Sequence, residues 1–305
     1  MKKTFKSLVV ASAFIVAIAS HTFAQTADST KKTPEWQKRL TIAQSMATSE
    51  QQALPAQFNI TFPKDKGASF LVNAGVNYQF TSLKASSLWA FTGEYHRNSM
   101  GDSAQNNLQL GLHGYLFLGD SKNGHSSYFL IIDPKYSWDG VAKTNSAESN
   151  ILFMPKWTMD PFNIGKKSQW GATTFYLAIY GGTQVQQVFP SDTTTPKGFK
   201  LRPLVKGNAS FSFNRHNANN KGYDFTNPLL TIFADYDQRK TIVNTTHDGE
   251  NFTHTLNTGI NYFLTTSPLT ISFGASFVEG SDVFSGLKSQ QYFLVSLNIG
   301  FSAKN

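Results

Sequence analysis

The 305-residue sequence predicts an all-β fold: a transmembrane, antiparallel, up-and-down β-barrel of about twelve strands, preceded by a short amino-terminal segment that is helical or disordered. Three observations predict it. Apolar residues alternate with small or polar ones through stretch after stretch of the chain. Aromatic residues make up 14% of the sequence and charged residues only 15%, where a soluble domain averages about 25%. The mean hydropathy is nevertheless negative, at −0.28, so the apolar residues are interleaved with polar ones, which excludes a helical membrane protein.

The one long apolar run is at the start. Lys2, Lys3 and Lys6 precede Leu8 to Ala19, and Thr22-Phe23-Ala24 follows. A basic flank, a short apolar core and small residues before a cut site describe a secretory signal peptide, residues 1–24, cleaved after Ala24. The signal peptide carries three of the lysines, so the formal charge of +8 falls to +5 in the mature chain. That modest excess suits anionic lipid headgroups, whereas nucleic acid would need a dense basic patch with interleaved aromatics. The chain has no cysteine, which excludes disulfides, thiolate metal sites and cysteine nucleophiles.

Residues 25–54 differ from the rest, being rich in Lys, Gln, Ala and Thr. Thr33-Pro34-Glu35 has the chemistry of a helix start, and Trp36, Leu40, Ala43 and Ala47 recur at helical spacing, so a short helix is expected over Pro34 to Thr48. It would act as a periplasmic segment, a plug, a partner-binding element or a simple tether.

From residue 55 onward the period is two. The expected strands are Gln57–Phe62, Ala68–Phe80, Ser87–Arg97, Gln105–Leu118, Ser127–Trp138, Asn150–Met159, Gln169–Gly181, Phe199–Phe213, Asn227–Arg239, Asn251–Leu264, Pro268–Val278 and Gln290–Phe301. In the last of these Phe293, Val295, Leu297, Ile299 and Phe301 share one face, opposite Tyr292, Leu294, Ser296, Asn298 and Gly300. An even strand number puts both ends of the barrel on the periplasmic side. Asn214 to Thr226 then reads as an unusually long, Asn-rich periplasmic turn. Trp89, Trp138, Trp157, Trp170, Tyr78 and Tyr262 sit near strand ends, where amphipathic rings favour the headgroup boundary.

Over residues 55–305 the chain resembles the outer-membrane β-barrel proteins of Gram-negative bacteria, a porin-like class. The resemblance is carried by the alternating strands and by the carboxy-terminal aromatic segment that ends at Phe301. It departs in one respect, since Ser302-Ala303-Lys304-Asn305 follow the terminal aromatic residue. The resemblance implies a place in the cell outer membrane, contact with outer-membrane lipid and lipopolysaccharide, insertion by the outer-membrane assembly machinery, and a periplasmic partner reachable through residues 25–54.

With the apolar faces in lipid, the opposite faces line a lumen. Lys135, Lys156, Lys200, Arg202, Lys206 and Arg239 would point inward, with Glu94, Asp133, Asp235 and Asp237 as the acids. Basic residues predominate, which fits a pore of weak anion preference. The same charges would instead pair across a filled interior if the barrel is narrow. Motifs for catalysis are incomplete. His96 and Ser99 are three residues apart and so lie on opposite faces of a strand, and Asp235-Tyr236-Asp237 has no Asp-x-His to complete an omptin-like site. The histidines lack ligand spacing and no phosphate-binding loop is present, so no metal or cofactor is expected.

The leading expectation is therefore a passive channel for small hydrophilic solutes. The alternative is a closed barrel serving as a structural or partner-binding component. A membrane-embedded hydrolase comes third, and the chain is not expected to be an enzyme. Amino-terminal sequencing of the protein recovered from outer-membrane fractions should begin at Gln25; a mature chain still carrying residues 1–24 would refute the cleavage site.

Overall fold

The computed structural model describes residues 36, 39–43, 56–61, 69–81, 87–99, 104–119, 126–157, 163–190, 197–217, 222–246, 249, 251–266, 269–282 and 287–302. The signal peptide lies outside them. The strands are β1 (Leu40–Ala43), β2 (Ala56–Thr61), β3 (Ser69–Gln79), β4 (Ser87–Asn98), β5 (Gln105–Leu118), β6 (Ser126–Asp139), β7 (Thr144–Trp157), β8 (Ser168–Trp170), β9 (Thr173–Pro190), β10 (Gly198–Asn217), β11 (Gly222–Lys240), β12 (Val243–Asn244), β13 (Phe252–Thr265), β14 (Leu269–Asp282) and β15 (Leu287–Ser302).

Antiparallel pairing runs from β3 through β7 to β9, β10, β11, β13, β14 and β15, and β1 with β2 closes the ring between β15 and β3. The result is a closed barrel of twelve staves. Closure follows from the solvent: hydrocarbon offers no partner to a backbone N–H or C=O, so the sheet must satisfy its own edges.

The closing stave is built from two pieces of chain. On β3, Ala43 lies opposite Gly75 and Gln57 opposite Asn73; on β15, Ile42 lies opposite Phe301 and Ala56 opposite Ile299. In both registers Ala56 takes the position directly after Ala43. Leu40 to Ala43 is thus strand, not part of the helix expected over Pro34–Thr48, and the wall begins at Leu40 instead of residue 55. Two flanking edges in need of partners outweigh a weak helical periodicity. Apart from Trp36 and residues 39–43, the 25–54 segment lies outside the described residues.

β5 spans the predicted residues, while several hairpins run further than alternation shows. β7 starts at Thr144 and β9 continues to Pro190, taking in residues expected as outer loops. The Asn-rich stretch from Asn214 is no simple turn: after a bulge at Asn214, Arg215 lies opposite Asp224, His216 opposite Tyr223 and Asn217 opposite Gly222. A two-stranded ribbon needs only backbone pairing, so Asn and Asp do not prevent it. The strand expected over Gln169–Gly181 breaks at Gly171, whose φ of 54° is left-handed. There β8 folds back on β9, with the Trp170 and Phe175 rings stacked at 5.9 Å, and covers the β9 edge that β7 leaves below Gly181.

The two faces of the wall separate as the period of two requires. Outward positions expose Phe91, Leu110, Ile151, Val205, Ile232, Phe273 and, most of all, Phe293 at 83%. Tyr78, Trp138, Trp157, Trp170 and Tyr262 are exposed near strand ends, whereas Trp89 lies against Gly114 of the paired strand, where any larger residue would collide with its ring. Inward positions on β5 to β10 form an apolar cluster of Ile131, Leu152, Met154, Tyr176, Ala178, Tyr180 and Leu204, with Tyr115 and Phe129 against it. Burying each large aliphatic member contributes about 2 kcal/mol.

Because Ala43 and Ala56 are consecutive in register, joining them directly leaves every described pairing of this stave intact. A variant lacking residues 44–55 should fold and keep the heat-modifiable gel mobility of a closed barrel. Loss of that mobility would refute the one-stave assignment.

Candidate functional site

Most of the charged residues singled out in the sequence meet on the inner wall in three groups, and Lys200 is buried there as well. In the first, Lys135 on β6 reaches over β5 to Glu94 on β4, Nζ to Oε1 at 2.8 Å, and donates to Gln109 Oε1 at 3.4 Å. The other Glu94 oxygen meets His96 Nε2 at 3.1 Å, and His96 Nδ1 meets Asn73 Oδ1 at 3.1 Å. Asn73 donates to Gln57 at 3.2 Å and Gln57 donates to Ser296 at 3.3 Å. Ser296 and Asn298 then carry the chain on to Asn261 and Ser272. One polar belt therefore runs from β6 through β4, β3 and the closing stave to β13 and β14.

The second group is Arg202 on β10, which donates to Gln184 Oε1 at 3.1 Å and Gln186 Oε1 at 2.9 Å on β9; Gln186 in turn donates to Ser146 and Glu148 on β7. In the third, Asp237 Oδ2 on β11 accepts from Lys206 at 3.3 Å and Arg239 at 3.0 Å, and Asp235 accepts from Asn208 at 2.7 Å. Asp133 pairs with His113, and Lys156 lies apart, near one end of its strand, with its ammonium 5.7 Å from the Phe129 ring.

Burial decides what this wall can do. Glu94, Asp133, Lys135, Lys200, Arg202, Lys206 and Arg239 are all at most 8% exposed, and Asp133 and Arg202 are at 0%. Taking such charges out of water is costly, and hydrogen-bonded pairing offsets the cost.

Several members of the groups escaped sequence reading. Glu148, Gln184 and Gln186 fell in stretches expected as loops, although Gln184-Val185-Gln186 continues the period of two. The neutral belt residues Gln57, Asn73 and Asn298 carry no charge to draw attention, and only the register shows that they touch. The hydrolase motifs are otherwise employed. His96 uses both ring nitrogens inside the belt, while Ser99 bonds the backbone N–H and C=O of Phe70. Asp235 and Asp237 serve as acceptors in the third group.

Removing one partner of the Lys135–Glu94 pair leaves a buried charge. Glu94→Ala should destabilise the refolded barrel by about 3–5 kcal/mol, and Glu94→Leu with Lys135→Met should recover most of it. Lys156→Ala, at a half-buried position, should cost about 1 kcal/mol or less. Urea unfolding followed by tryptophan fluorescence tests all three; equal costs for Glu94→Ala and Lys156→Ala would show that the pair is not buried as described.

No family model and no curated protein matches the chain. Among solved structures it is similar to LpxR from Salmonella typhimurium, with 11% sequence identity and a TM-score of 0.40, over 86% of this chain and 98% of that one. LpxR is an enzyme, so the expectation that this chain is not one does not stand. The likeness assigns no activity or residue here. The closed antiparallel barrel itself fits the outer-membrane class that the sequence resembles.

Proposed function

We propose that this protein is an outer-membrane barrel closed to hydrated solutes by its own inner wall, working through its exposed surfaces and not as a standing passive channel. The observation that carries the reading is the burial of the paired lumen charges, with Arg202 and Asp133 at 0%. A hydrated ion needs a path whose polar groups face water; here those groups face one another. In this reading the partners are outer-membrane lipid and lipopolysaccharide along the apolar outer face, the outer-membrane assembly machinery during insertion, and a periplasmic partner reached through residues 25–54. The closed barrel takes the place of the anion-preferring pore.

Planar-bilayer recording on the refolded mature protein tests this. Wild type should insert without discrete conductance steps. Glu94→Gln with Arg202→Gln, which unties the first two groups, should conduct more than wild type. Steady wild-type conductance that falls on changing Lys200, Arg202 and Lys206 to Gln would restore the pore.

A further inference from the structure

One row of the inner wall is not accounted for by the three groups. Gln79 on β3 lies opposite Ala90, Ala90 opposite His113, Asp133 opposite Asn150, and Asn150 opposite Gln184; His113 Nδ1 and Asp133 Oδ1 join the two halves. No member is more than 3% exposed. Nevertheless Gln79 Oε1, His113 Nε2, Asp133 Oδ2, both amide atoms of Asn150 and Gln184 Nε2 have no hydrogen-bond partner among the described residues. A buried polar group left unsatisfied costs about 1–3 kcal/mol, so six in register would be an untenable burden on the fold.

From this we infer a buried water site along the row, centred on His113, Asp133 and Asn150. The chemistry is complementary. His113 Nδ1 is engaged by Asp133, which leaves Nε2 as the ring atom that would meet a water. Asp133 Oδ2, Asn150 Oδ1 and Gln79 Oε1 are acceptors, while Asn150 Nδ2 and Gln184 Nε2 are donors. A water molecule makes about three hydrogen bonds, donating and accepting, and about two waters would satisfy the six atoms. Ala90 lies between Gln79 and His113 in the row and offers no polar atom of its own side chain to either. In the neighbouring cluster Ile131, Leu152, Met154, Ala178 and Leu204 offer a water no partner; the polar atoms there are tyrosine hydroxyls.

Hydroxyl-radical footprinting by X-ray radiolysis, read by mass spectrometry on the folded protein in detergent, tests the site, because radicals formed from a bound water label the residue beside it. His113 should be oxidised despite its burial, while Met154, the more reactive side chain but in the apolar cluster, is not. Asn150→Leu should abolish the His113 label and lower the urea midpoint, since the water loses partners. An unlabelled His113 in folded wild type overturns the inference. So does a raised midpoint for Asn150→Leu, the outcome for a dry row relieved of two unsatisfied atoms. Should Asn150→Leu not fold, the wild-type comparison of His113 with Met154 decides alone.

Discussion

Everything in this barrel answers to one requirement, that no backbone N–H or C=O facing hydrocarbon be left without a partner. It explains why a chain whose strands are unequal in length still closes. Where β7 stops pairing with β9, β8 and Ile164 take over the edge; where β11 leaves β10, β12 resumes beside it. The stave between β15 and β3 is completed from Leu40–Ala43 and Ala56–Thr61, segments separated in sequence but continuous in register.

A second requirement operates inside. Period two sends one residue in two into a lumen that at twelve staves lies between a packed interior and an open channel. This chain lines it with residues of both kinds. Apolar residues of β5 to β10 make a conventional core, and the charged residues are tied to amides, hydroxyls and one another. Such networks add little net stability compared with apolar packing, but they penalise any register that would separate their members. The Lys135–Glu94 link, which steps over a whole strand, holds only if β4, β5 and β6 keep their stagger.

Local pattern reached far into this fold. Most of the twelve staves, and which residues share a face of the wall, were legible, because alternation maps a residue to a face with no knowledge of its neighbours. The failures share a cause. Leu40–Ala43 was hidden in a stretch of helical spacing, and Gln184, Gln186 and Glu148 in stretches whose polar residues resemble loops. In each case the strand is imposed by the ladder beside it, and a ladder is not a property of the segment.

Sequence alone thus determined the class of architecture, since one apolar face repeated at period two has no other way to meet lipid. Which of the inward polar residues pair with one another was decided only by tertiary structure. That outcome depends on stagger: Asn73, Gln57 and Ser296 meet because β15, from the other end of the chain, aligns with β2 and β3 to within a residue, and a shift of one would turn each to the other face.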